Sequence, residues 1–211
     1  MNCSITEKER ISNNFFLLYL IEKTNENGHF MGITKLQKLV YLIELKCYTI
    51  GFKSLSFPFF RWNYGPMSKE LYIEKDRIIE NGLIEKGDNI RVTKQGKHVL
   101  EECSEILHDN KKSLEIINEI SDLYSKLSTK QLKNKIYQIT DPSLGMKIKD
   151  IPMGWDLLLR LYEKKDIIHL DDEWIETIDI MMDTSVYSSV TKSIEDAQIN
   201  KSIKCGELIA V

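Results

Sequence analysis

Leu36, Leu39, Val40, Ile43, Cys47 and Ile50 fall on one stripe at helical spacing, and the chain that follows breaks that pattern completely. Thr34-Lys35-Leu36-Gln37 in front of the stripe has the form of a capping box, and Gly51 behind it is a stop. Phe57 to Pro66 then reads as a short strand or extended segment. It closes on Gly65-Pro66, where the proline drives Gly65 out of the right-handed helical region. A helix follows from the Ser68 cap to Asn81-Gly82, with Leu71, Tyr72, Ile78 and Ile79 inward. Leu83 to Thr93 holds two short apolar runs around Gly87, Asp88 and Asn89, the pattern of a β-hairpin.

The remaining segments are mostly helical. Ile11, Phe15, Phe16, Leu18 and Tyr19 form a stripe before the first motif. Thr93 caps a helix carrying Val99, Leu100, Cys103, Ile106 and Leu107 on one face. Helices are expected near Leu114–Leu127 and, after the Ser128/Gln131 capping box, through Ile139. Residues 146–153 read as a linker. Short helices are expected near Trp155–Tyr162, Glu173–Met182 and Tyr187–Ala197. The fold class expected is therefore mainly α: a winged-helix-like core with one β-hairpin, plus a C-terminal helical extension. Three units are expected, at 1–110, 111–150 and 151–211.

Charge separates the last unit from the rest. The 211 residues carry a net charge of -3. Residues 151–211 hold six Lys and Arg against twelve Asp and Glu, a net of -6, which leaves the preceding part at +3. An acidic tail on a mildly basic body suits a basic partner, and it equally suits a solvated helical face. The overall balance, with a pI near 5.9, is no footprint of a general nucleic-acid binder. No run of about 18 apolar residues exists to span a membrane. The first ten residues lack the order of a signal peptide, and the four cysteines stand far apart. A cytoplasmic protein without disulfides is expected.

Chemistry finds no foothold. No metalloprotease helix, phosphate loop, nucleophile elbow or dinucleotide fingerprint is present. Neither catalytic nor metal-ligating residues are expected, nor a cofactor. Asp171 or Asp172 beside Glu173 reads as a helix cap and first turn in preference to a metal site with His169. Met181-Met182, with Trp174 and Ile178, reads as packing.

A helix, a connector, a helix and a hairpin also describe DNA-binding winged helices. The helix that would enter the groove carries Lys69, Lys75 and Arg77 against Glu70, Glu74, Asp76 and Glu80, a net of -1. Lys86, Arg91, Lys94 and Lys97 around the hairpin are the better candidates for DNA contact, and a winged-helix regulator is the alternative function.

The run Ile33-Thr34-Lys35-Leu36-Gln37-Lys38-Leu39-Val40-Tyr41 carries a further signal. Together with Arg61-Trp62-Asn63-Tyr64-Gly65-Pro66 and Tyr72 it resembles the Panacea domain of the SocA-like antitoxin family. That pattern is a Lys-Leu-Gln-Lys-Leu helix, a Trp-x-Tyr-Gly-Pro turn and a helix bearing Tyr, and it covers about residues 10–110. The resemblance implies a prokaryotic, mostly helical protein-binding module. It also implies an antitoxin that neutralises a toxin or delivers it to a protease. At the other end, Thr191–Ala197 and Cys205–Ile209 look like the tail of RelB/Phd-type antitoxins. Such a tail would end in a helix, an extended piece and a further amphipathic turn, and would wrap a basic toxin.

The candidate partner contacts follow. Trp62, Tyr64, Gly65 and Pro66 form either a contact turn or, as the preferred reading, a core plug with a chain reversal. Lys35 and Lys38 read as the solvated face of the motif helix, and Gln37 as its cap. In the tail the candidates are Tyr187, Ile194, Glu195, Asp196 and Leu208. The partner's identity and the oligomeric state are not legible in the sequence.

Overall fold

The computed structural model describes residues 6–29, 31–159 and 170–208, with side chains described through residue 197. Among these the chain is mainly α. Its first helix, α1 (Glu7–Glu26), is closed by a capping box in which Thr6 accepts from the Glu9 backbone and the Glu9 carboxylate accepts from Thr6. α1 is more than a stripe: Phe15, Phe16, Leu17, Leu18, Leu20 and Ile21 are all fully buried, with Asn13 and Asn14 buried among them. A helix buried around its circumference is the centre of a domain, not a surface element.

α2 (Ile33–Ile50) lies over the same core. The capping box expected at Thr34 is absent. The helix starts at Ile33 behind Gly32, which makes no side-chain cap, and Gln37 is used elsewhere. Gly51 ends α2 as expected, in the left-handed conformation at φ 71.

The extended segment after α2 supplies the sheet. β1 (Phe59–Trp62) turns through Asn63-Tyr64 into β2 (Gly65–Met67), with Trp62 paired to Gly65 and Phe60 to Met67. β3 (Asp156–Leu157) adds to the other edge of β1, pairing Phe59 with Leu157, so the order is β2-β1-β3, antiparallel throughout. The helix expected near Trp155–Tyr162 is therefore corrected over 155–159, and Arg160 to Tyr162 lie outside the described residues. β1 alternates buried Phe59 and Arg61 with half-buried Phe60 and exposed Trp62, as a half-covered sheet requires, and Asp156-Leu157 pairs with its open edge. The supposed linker 146–153 is packed: Ile148 and Ile151 are buried.

α3 (Lys69–Glu80) begins at Ser68, whose hydroxyl accepts from the Leu71 N–H. The expected hairpin at 83–93 reduces to a single bridge between Ile84 and Val92, supported by Glu85 N–H to the Arg91 carbonyl. α4 (Lys94–Glu102) is capped by Thr93 and ends at Cys103, where a short α5 (Ser104–Asp109) begins. The one long helix expected here is thus broken in two. α6 (Lys111–Tyr124) packs against α1 and α2. α7 (Thr129–Gln138) opens with the expected Ser128/Gln131 box and packs on α2 and β2. α8 (Asp172–Met182), capped by Asp171, lays Ile178, Met181 and Met182 onto the core. α9 (Thr184–Leu208) closes the described chain as one helix, without the extended piece that a RelB/Phd-type tail implies.

Candidate functional site

The motif helix and the motif turn meet through buried polar groups. Gln37 makes two hydrogen bonds to one residue: its amide donates to the Ser68 carbonyl at 2.8 Å and its carbonyl accepts the Ser68 N–H at 2.8 Å. Lys38 donates its ammonium to the Pro66 carbonyl at 2.6 Å, and Lys35 donates to the Ser125 carbonyl at 2.6 Å. Both lysines are buried, so the solvated face expected for them is corrected. They satisfy backbone carbonyls that neither strand nor helix pairs. Burial, with the nearby Arg61 charge second, brings the Lys38 ammonium down to about 8.

Gly65 must be glycine here. Its φ is 95, and an added Cβ would stand 3.3 Å from the Tyr137 ring and 3.7 Å from the Lys38 chain. Gly65 and Pro66 are buried. Their neighbours are not: Trp62 is 45% exposed and Tyr64 62% exposed, so neither plugs the core. The correction has a local cause. β1 presents Phe59 and Arg61 inward, and the strand alternation sends Phe60 and Trp62 to the opposite face. Their rings meet edge to face at 6.0 Å.

Arg61 holds the edge together from beneath. Its Nε donates to the Ile148 carbonyl at 2.8 Å, and its guanidinium lies 5.0 Å from the Tyr137 ring centre. Tyr137 in turn donates its hydroxyl to the Asn63 carbonyl at 2.8 Å, bracing the turn between Trp62 and Tyr64. On the far side of β1, the Arg61 N–H donates to the Trp155 carbonyl at 2.8 Å, and the Gly154 N–H donates to the Arg61 carbonyl at 2.7 Å. Trp155 and Met153 are exposed beside the edge. Arg61 was read only as part of the motif, and Tyr137 and Trp155 escaped as site residues, because the turn, α7 and the segment 148–155 are far apart in the chain.

The tail candidates lie on another surface. Asp183 caps α9, accepting from the N–H groups of Ser185 and Val186, and hydrogen bonds from Ser185 hold its carboxyl below the usual range. Tyr187 anchors the first turns, its hydroxyl 3.0 Å from His98 Nε2. Around that anchor the helix carries a partly exposed apolar row, with Val186 at the rim of a cleft against α1, α3 and α8. Val186 and Val190 are each 41% exposed and Ile194 is 53% exposed. Glu195 and Asp196 are exposed beside it. The sequence places Val190 on one stripe with Tyr187 and Ile194 and names Ile194 as a contact, but it does not single out Val186. Leu208 lies in the helix, but its side chain is outside the described residues, as is His169.

Lys86, Arg91 and Lys94 are exposed around the single bridge. Lys97 is engaged by Glu22 at 2.6 Å. On α3, Lys75 pairs with Asp76 at 2.6 Å and Arg77 with Glu74 at 3.1 Å. A cleft of about 370 Å³ opens between α1, α3, α8 and the start of α9. Its two guanidiniums are already taken, Arg10 by Glu7 and Asp179, and Arg77 by Glu74. No group of metal-binding side chains occurs among the described residues, and no described helix is long and apolar enough to cross a membrane.

Nothing among curated proteins or solved structures matches the chain. Residues 36–140 match the family described as antitoxin SocA-like, Panacea domain. The match begins on the buried face of α2, runs through the Trp-x-Tyr-Gly-Pro turn and ends just past the Tyr137 brace. Over these residues the chain belongs to the SocA-like Panacea-domain family.

Proposed function

We propose that this chain is an antitoxin-type binding protein, not an enzyme, and that α9 is the arm that covers a small basic protein toxin. The exposed row Val186, Val190, Ile194 carries this reading. A purely solvated helix needs no apolar row at i, i+4 and i+8, whereas a helix that docks by one face does. α9 itself is neutral, with Lys192, Lys201 and Lys204 against Glu195, Asp196 and Glu207; the -6 charge of residues 151–211, the sign that suits a basic partner, lies in residues 151–183 ahead of the arm. Membership of an antitoxin family supplies the partner class. The domain acts as a rigid platform, since the Gln37–Ser68 and Lys38–Pro66 bonds lock its motif helix to its motif turn.

The pairing of Lys97 with Glu22 and of Arg77 with Glu74 removes charge from the surfaces a duplex would need, which speaks against the regulator reading. The test is co-purification of tagged protein from its host, with identification of what is retained. The full chain retains one small basic protein, and Ile194→Glu releases it. Equal retention by both forms, or no protein retained, would sink the proposal.

A further inference from the structure

The Trp62–Tyr64 edge has the wrong electrostatic sign for the partner proposed above. Residues 126–159, which supply α7, the packed segment behind it and β3, contain six lysines against three aspartates. One of those aspartates, Asp141, is buried, and its carboxylate accepts from the N–H groups of Ser143, Leu144 and Leu158. α7 itself carries Lys130, Lys133 and Lys135 and no acid. Lys133 places its ammonium 5.5 Å from the Tyr64 ring centre and 5.6 Å from that of Tyr137. Lys69, at the start of α3, stands 5.8 Å from the Phe60 ring. Lys149 follows alongside, its N–H donating to the Tyr137 carbonyl at 3.2 Å.

Three large rings are open at this end of the sheet: Trp62 on the Phe60 face of β1, Tyr64 on the turn, and Trp155, 50% exposed, on the neighbouring segment opposite Arg61. We infer that this edge binds single-stranded nucleic acid, with Trp62, Tyr64 and Trp155 stacking on unpaired bases and Lys69, Lys133 and Lys149 meeting the phosphates. Interleaved rings and ammonium groups on a braced turn are what sequence-tolerant single-strand binding uses. A duplex hides its base faces and leaves the rings without a partner. An acidic protein surface suits the edge less well, because carboxylates are best gripped by arginine forks. Residues 126–159 contain no arginine, and Arg61 is buried with its Nε committed to Ile148. The turn cannot swing away from this geometry without breaking the Tyr137–Asn63 and Lys38–Pro66 bonds.

The experiment is a tryptophan-fluorescence titration of the full chain with an oligouridine of about 12 nucleotides. It is run at about 50 mM salt and repeated at higher salt. The full chain shows quenching, with an affinity that falls steeply as salt rises. Trp155→Ala and Lys133→Glu each weaken binding about tenfold. Both positions are at the surface, so circular dichroism of the variants stays unchanged. Arg91→Glu, beside the Ile84–Val92 bridge and outside the edge, binds as the parent does. Absence of quenching, a duplex bound as tightly as the single strand, or binding lost in Arg91→Glu but kept in Trp155→Ala would each overturn the inference. So would displacement of the oligonucleotide by polyglutamate at equal charge concentration, which would mark the edge as an acidic-protein site.

Discussion

Gln37 shows how much one side chain can hold at the family's signature. Its amide satisfies both backbone groups of Ser68, the residue that also caps α3. Removing it leaves a buried N–H and a buried C=O unpaired, and each such group costs more than an ordinary hydrogen bond returns. Gln37→Ala is expected to destabilise the chain by about 2–4 kcal/mol. Chemical denaturation checks it, and a change below about 0.5 kcal/mol, the size of an ordinary surface substitution, would show that water replaces the lost bonds. At this scale the sequence was half legible. The identities of Lys35, Gln37, Lys38 and the Trp-x-Tyr-Gly-Pro turn were plain, but their roles were assigned the wrong way round. A polar residue on a helix is read as solvated or capping unless something says that backbone carbonyls from residues 66 and 125 lie over it. That information belongs to the tertiary packing. Trp62 and Tyr64 erred in the opposite direction, because large rings are taken as core until the strand alternation is seen.

Among the elements, the packing of α4 against the bridge at Ile84 and Val92 depends on Gly96. A Cβ there would stand 2.3 Å from the Leu83 carbonyl oxygen and 2.6 Å from Val92 Cγ1. Alanine would gain about 1 kcal/mol of helix propensity. The clash is with backbone, which cannot rotate away, so it sits at the upper end of overpacking, about 3 kcal/mol. Gly96→Ala should therefore lower the unfolding midpoint in urea, whereas an unchanged or raised midpoint would mean that α4 slides outward without cost. Local signals served most helices well. Thr93, Ser68, Ser128, Gly51 and Asp171 all cap or stop where the residue type says they should. They failed where long-range contacts decide. The strand at Asp156-Leu157 exists because β1 has an open edge, and the expected hairpin shrank to one bridge because Ile90 and Val92 bond to α1 and its following loop. The Ile90 N–H donates to the Met31 carbonyl, and the Val92 N–H to the Asn25 side chain.

The molecule as a whole combines a core that includes a buried acid with two surfaces of opposite character. Glu44 is fully buried on α2; one carboxylate oxygen accepts the Phe57 N–H at 3.0 Å and the other has no hydrogen-bond partner among the described residues. Burial pushes its carboxyl up to about 8 from the ordinary 4.5. The native state then holds this proton more tightly than the unfolded state between those values. Glu44 therefore makes stability fall as pH rises from about 4.5 to about 8, with no further contribution above. Lys38 acts in a separate window. Its native value of about 8 lies below the ordinary 10.5, so stability rises with pH from about 8 to 10.5. Glu44→Gln should flatten the decline between about pH 5 and 8, as read by denaturation at both ends, and an undiminished slope would place its origin elsewhere. The acidic character of the C-terminal part was legible in the sequence itself, as a charge imbalance between the last 61 residues and the rest, although it lies ahead of α9 and not on it. The basic aromatic edge was not, because its rings and lysines come from segments that only the sheet brings together.

Everything said of partner choice depends on α9 being the arm that holds a basic protein. The most direct measurement compares the full chain with one ending at Asp183, both purified from the host and examined for bound protein. The expected result is one small basic protein with the full chain, none with the shortened chain, and a folded core in both. The same protein retained by the shortened chain, or none retained by either, would contradict the assignment of α9.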